Sequence, residues 1–295
     1  MEFDGIITVE NLIFFAGLVI FACWVRKTSL GKKALADSVP RRNNMPAYLP
    51  FVPLFIWMLA NSITASIAKT LFSDLQGRQN DFLDNLILGI SELTAIAVII
   101  FLARIHFTRR LKGFGLNIKT VVKDFFAAFV NLLTIWPVII SAMGLTIYFG
   151  ELVWGREYQM QQHQQLKLIT EHPQLLPRIL IVVLAVIIAP LLEEMLFRGL
   201  FQTTIRSYIE TFRSLLIPQN KPDEKRTDDS NGAWPAIVIS SGLFTMTHAN
   251  AGHWPALFVL GVCLGYAYEK SGSLFRPIFI HSLFNAVSII ATLNQ

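Results

Sequence analysis

The residues able to do chemistry gather in the C-terminal part of the chain. The stretch PLLEEMLFRGLFQ, residues 190–202, holds two adjacent carboxylates, Glu193 and Glu194, followed by Arg198. On a helix Glu194 and Arg198 are four apart and share a face, acid first, the favourable order for a pair. Glu193 is turned about 100° from that face. One carboxylate is thereby neutralised while its neighbour stays free for acid–base work. Pro190, which lacks an N–H, is placed to kink the helix just before them. FTMTH sets Phe244 and His248 four apart, and HSLFN does the same for His281 and Asn285. An imidazole and an amide both donate hydrogen bonds and suit a developing oxyanion. A softer cluster, GYAYEKSGSLFRP at 265–277, reads as a helix end, a glycine turn and a restart that delivers His281.

Each cluster also has a plain structural reading. A buried Glu–Arg pair on helix spacing is most often architectural. A histidine in an apolar run is commonly packed or hydrogen-bonded, and His281 with Asn285 would equally knit two helices together. His106, His163, His172 and His253 fall in loops or at the ends of apolar runs and carry no functional expectation. Glu10, Lys69 and Glu92 lie in or near apolar runs, and the sequence names no partner for them.

The elements that position these groups follow from composition. Of the 295 residues, 53% are hydrophobic and only 15% charged, against about 25% charged in a soluble domain. That excludes disorder, which needs few apolar residues and much charge. It points to an all-α, polytopic membrane bundle of about eight spans at about 20 residues each. The apolar runs fall near 6–25, 48–72, 82–103, 125–149, 177–197, 234–250, 255–269 and 274–292. The acidic start, MEFDG, lacks a basic n-region, so the first run reads as a retained span. The net charge is +5, and its basic residues concentrate in the loops 26–47 and 104–123. Basic loops stay cytoplasmic, so this charge argues for membrane topology rather than nucleic acid, with both termini outside. Residues 156–172 are Gln-rich, and 218–232 form a charged linker suited to gating substrate access. Cys23 and Cys263 lie in apolar runs, where buried free thiols are expected.

One tension accompanies these boundaries. At 1.5 Å per residue, Glu193 lies about 24 Å from the outer face and His248 about 18 Å from the inner one. Across a core of about 30 Å the two differ in depth by about 12 Å.

Together EEMLFR, FTMTH and HSLFN match, in order and spacing, the E-E-x-x-x-R, F-x-x-x-H and H-x-x-x-N motifs. In these motifs the chain resembles the CAAX prenyl protease type II and bacteriocin-processing (CPBP) intramembrane proteases. The resemblance covers roughly residues 180–292 and divides the chain into N-terminal spans, 1–176, and a catalytic core, 177–295. It implies hydrolysis of a peptide bond in or near the membrane. By the resemblance Glu193 is the general base, His248 orients the water, and His281 and Asn285 form the oxyanion hole. Glu194, Arg198 and Phe244 support them. The implied partners are a membrane-associated peptide or protein substrate and the lipid bilayer, with no nucleic acid. The implied place is an integral, multi-pass membrane protein, in the cell (inner) membrane if the source is bacterial.

No H-E-x-x-H is present. Glu193, His248 and His281 are three conceivable zinc ligands with an open fourth position, whereas Asn285 is an unusual one. The reading leans toward no obligatory metal. Two rivals remain at this level: a non-catalytic scaffold or immunity-type interaction protein using the same cavity, and a transporter. The transporter lacks the repeated halves it should show.

Overall fold

The computed structural model describes residues 9–71, 78–156, 158, 164–171, 174–216 and 232–294. The expected linker at 218–232, apart from Gly232, lies outside the described residues, as do His163, His172 and the side chains of Glu10 and Lys69.

No β-strand forms among the described residues, and the chain is all-α. The helices are α1 (Val9–Lys27), α2 (Phe51–Leu71), α3 (Arg78–His106), the short α4 (Arg110–Phe114), α5 (Val121–Trp154) and α6 (Gln164–Glu171). They continue with α7 (Leu175–Leu216), α8 (Ala233–Met246), α9 (Trp254–Ser271) and α10 (Phe275–Leu293).

Among the described residues five segments are long and apolar enough to cross a membrane: Phe51–Ala68, Asp81–His106, Ile118–Trp154, Leu175–Leu216 and Phe275–Leu293. Large apolar side chains on them face outward, Phe126 at 66%, Phe55 at 58% and Leu145 at 57% exposure. Such a surface is stable only against lipid or another apolar partner. The three other expected spans correspond to α1, α8 and α9, which are not among the five. Helix α8 has 14 residues, about 21 Å, short of a bilayer core of about 30 Å. Helix α9 ends in the polar run Glu269–Lys270–Ser271.

Small residues set the closest helix contacts, as expected where lipid removes the hydrophobic drive for association. Gly17 of α1 sits against Leu133 and Pro137 of α5, and a Cβ there would strike the Leu133 carbonyl. That carbonyl is the one whose helical donor Pro137 removes. Helices α8 and α9 pack as a hairpin, and α5 lies against α1, α9 and α10. The expected buried thiols need one correction. Cys263 is half-buried, but Cys23 is exposed, because α1 packs against α5 and leaves its other side open.

The two basic loops meet. The Asn44 N–H donates to the His106 carbonyl and the Thr108 N–H to the Arg42 carbonyl. Arg41 donates to the Gly113 carbonyl at 2.9 Å and lies over the Tyr268 ring. The same end of the bundle is tied to α10. Asp124, 1% exposed, accepts from Arg276 at 2.9 and 3.0 Å, and the Leu274 N–H donates to the Gly115 carbonyl.

Candidate active site

Helix α7 is a single run of 42 residues with two π turns, Leu184–Ile188 and Met195–Gln202. Glu193 and Glu194 occupy the α-helical turn between them. Such turns are uncommon and recur at functional sites. The first has a readable cause. The Ala189 N–H donates back to the Leu184 carbonyl, so the next carbonyl, Ala185, would need the N–H of residue 190, which is proline and has none. Asn285 of α10 supplies the missing donor, its Nδ2 lying 2.7 Å from the Ala185 oxygen.

The second π turn carries Arg198. Its Nη1 donates to Glu194 Oε1 at 3.1 Å, with both side chains at 0% exposure. Its Nη2 donates to the Gly261 carbonyl at 3.1 Å. Four residues on, Gln202 repeats the move and donates to the Gly265 carbonyl at 3.2 Å. Two side chains four apart on α7 thus bond two carbonyls four apart on α9. Glycines permit this approach, since a Cβ at Gly265 would lie 2.7 Å from Gln202 Oε1. Gly199 does the same for α4, where a Cβ would collide with the Phe114 ring.

Helix α10 delivers His281. Gly272 closes α9 at φ +70°, in the left-handed region that glycine adopts freely, and the chain restarts at Phe275. His281 is 4% exposed. Its Nδ1 lies 3.0 Å from Glu194 Oε1 and its Nε2 lies 3.8 Å from Glu193 Oε2. One imidazole therefore bridges the two carboxylates. The division between them is clear: the Glu194 side chain is at 0% and the Glu193 side chain at 20% exposure. Glu193 Oε2 has no hydrogen-bond partner among the described residues.

His248 follows the C-terminal end of α8. Its Nδ1 lies 3.0 Å from the Phe244 carbonyl. A carbonyl only accepts, so Nδ1 carries the proton and the neutral ring keeps its lone pair on Nε2. Trp254 donates to the His248 carbonyl at 2.8 Å and holds the turn. Phe244, fully buried, is the hub. Its ring centroid lies 4.9 Å from that of His248 and 5.7 Å from that of His281, both edge-on. The Arg198 guanidinium lies 4.6 Å from the same ring.

The depth conflict between Glu193 and His248 dissolves with the length of α7. At 1.5 Å per residue the helix is about 63 Å long, twice a bilayer core, so Leu175 need not mark the membrane boundary. Counted from Arg206, which is paired with Glu210 and Glu269, Glu193 is about 20 Å along the helix; His248 is about 22 Å from Ala233.

Glu92 is the site residue for which sequence named no partner. It is 3% exposed on α3, its Oε2 has no partner among the described residues, and it lies within electrostatic range of Glu193. Its place in an apolar run was the available signal. Only packing brings α3 beside α7, where Gly89, one turn earlier, abuts Leu184. Arg206 and Glu269 form a second buried pair, with Arg206 also donating to Glu210 and to the Ser38 carbonyl.

Among the described residues no three His, Cys, Asp or Glu side chains converge so as to hold a metal ion. His248 and His281 are both packed on the Phe244 ring, and His281 Nδ1 is held by Glu194.

Residues 175–287 match the family model described as type II CAAX prenyl endopeptidase Rce1-like. This segment is similar to the CAAX/CPBP family. The match begins at the first residue of α7 and ends within α10, so it spans every residue of the glutamate–histidine cluster except Glu92. No curated protein and no solved structure matches. That similarity points to a peptidase, and the apolar helices support an integral membrane protein.

Proposed function

We propose that this protein is an intramembrane endopeptidase in which Glu193 activates water against a peptide carbonyl. The carrying observation is the bridge made by His281, which holds one carboxylate through Glu194 and leaves the other, Glu193, partly open and without a partner at Oε2. Glu193 takes a proton from water as the water oxygen bonds to the carbonyl carbon. His248 Nε2 accepts the water's second hydrogen bond. The oxyanion is met by Asn285 Nδ2, whose amide has a second hydrogen beyond the one given to Ala185, and by His281 in its doubly protonated form, with Nδ1–H given to Glu194 and Nε2–H to the oxyanion. Glu193 then returns the proton to the departing nitrogen as the C–N bond breaks, leaving a carboxylic acid and an amine, and the glutamate is again a carboxylate. General acid–base work of this kind contributes about 10²–10⁴-fold, and donors preorganised away from water add to it.

No step here needs a metal. The substrate class is a membrane-associated peptide or protein, and a CAAX-type C-terminal tail is the form that the family description favours. The place is the cell membrane.

A scaffold remains the second reading, favoured by one observation: Asn285 and His281 Nδ1 are both engaged inside the protein. Detergent-purified protein is offered a peptide library, prenylated and not, as wild type and as Glu193→Ala, each with and without chelator. Cleavage by the wild type that survives chelation and vanishes in the variant supports the glutamate mechanism. Cleavage abolished by chelator points to a metal. A Glu193→Ala protein that folds and keeps its biological activity supports the scaffold.

A further inference from the structure

A second site lies away from the glutamates, at the end of α3. Arg104 stands in the last turn of that helix, and Arg109, Arg110 and Lys112 follow in the turn and in α4. With Leu111 the four line one open pocket. All four are exposed, and none makes an ion pair among the described residues. Four cations elsewhere, Arg198, Arg206, Lys270 and Arg276, each have a carboxylate. Four unpaired cations within nine positions repel one another.

The backbone is bent to bring them together. Arg110 has φ +50°, in the left-handed region that a side-chain-bearing residue seldom adopts. Its N–H donates to the Phe107 carbonyl at 2.8 Å. This turn folds α4 back toward the end of α3, so that Arg109, Arg110 and Lys112 come beside Arg104. Such an outlier, held where charge is concentrated, is a pointer to function.

We infer that Arg104, Arg109, Arg110 and Lys112 form a binding site for the anionic headgroup of a phospholipid. The ligand is a lipid rather than a free anion because the pocket borders the membrane surface. The candidate span Asp81–His106 ends here, and Phe101 and Ile105, 62% and 56% exposed, offer an apolar strip below Arg104 for acyl chains. Basic pockets at this depth attract anionic headgroups, whose attraction fades within a Debye length. The site is joined to the glutamate cluster: Phe114, the last residue of α4, packs on Gly199, next to Arg198. The Tyr268 hydroxyl donates to the Phe114 carbonyl at 3.0 Å. A bound headgroup braces α4, and through it the second π turn.

The test is lipid retention by the purified full chain, read by native mass spectrometry. The micelles carry phosphatidylglycerol, phosphatidylcholine, or phosphatidylglycerol with excess inorganic phosphate. The wild type retains phosphatidylglycerol over phosphatidylcholine. R104Q/R109Q/R110Q/K112Q loses about ten-fold or more of that retention. A charge-matched control, K32Q/K33Q/K119Q/K123Q, leaves it unchanged. Arg110→Gly separates folding from binding, because glycine accepts the φ value: the fold holds while retention falls. Equal loss in both quadruple variants, or no preference between the two lipids, overturns the proposal. Displacement of the lipid by inorganic phosphate that itself binds as tightly assigns the pocket to a free anion, and also overturns it.

Discussion

His281 meets Glu194 through Nδ1 at 3.0 Å and turns Nε2 toward Glu193 at 3.8 Å. The contact makes two adjacent carboxylates unequal. Glu194 is enclosed between a guanidinium and an imidazole, and Glu193 keeps Oε2 without a hydrogen-bond partner among the described residues. The asymmetry is built by three helix segments, so altering any one has a separable effect.

Glu193→Gln keeps the shape of the side chain and removes the base. Turnover of a cleaved peptide falls about 10²–10⁴-fold with little change in KM, while the thermal unfolding midpoint stays near wild type, since the carboxylate is unpaired at Oε2. Parallel kinetics and melting of the two proteins check this. An unfolded variant or unchanged turnover removes Glu193 from the role of base.

Arg198→Met strands the Glu194 carboxylate at 0% exposure. Removing one member of a buried pair destabilises by about 3–5 kcal/mol. The double variant Glu194→Gln/Arg198→Met recovers part of that loss, because no buried charge is left alone. Detergent-phase unfolding of the single and double variants gives the coupling.

Asn285 has one observed bond and one proposed task, and the two are separable. As donor to the Ala185 carbonyl it stabilises the first π turn, and Asn285→Ala costs about 1–3 kcal/mol by leaving that oxygen unpaired. Pro190→Ala restores a backbone N–H, so the same change costs less stability in that background. The loss of turnover does not recover, because the oxyanion still lacks its amide. Recovery of turnover along with stability would make Asn285 purely architectural.

Gly199→Ala drives a methyl into the Phe114 ring. Overpacking of this kind costs about 1–3 kcal/mol. Phe114→Leu relieves it, so the double variant is more stable than Gly199→Ala alone. Unfolding midpoints of the three variants decide the matter; strict additivity would show that the two residues do not press on each other.

The sequence by itself determined the fold class and named the candidate side chains of the site. Apolar runs of membrane length admit only helices here, since every backbone group in lipid must be satisfied within its own segment. Spacing of four made Glu194 a partner for Arg198, and three short motifs in order carried the family. These are local or one-dimensional facts, and periodicity reports them. The π turns were not legible, because they depend on which carbonyl Pro190 leaves open and on a donor, Asn285, a hundred positions away. Nor was the length of α7, whose continuation past Gln202 made a depth counted from its start misleading. Glu92 was visible as a costly residue, but only the packing of α3 on α7 sets it near Glu193. Tertiary structure decided these points because burial and hydrogen bonding between distant helices are set by close packing of small residues such as Gly89, Gly261 and Gly265. That information is carried by pairs of residues, and no single stretch of sequence contains it.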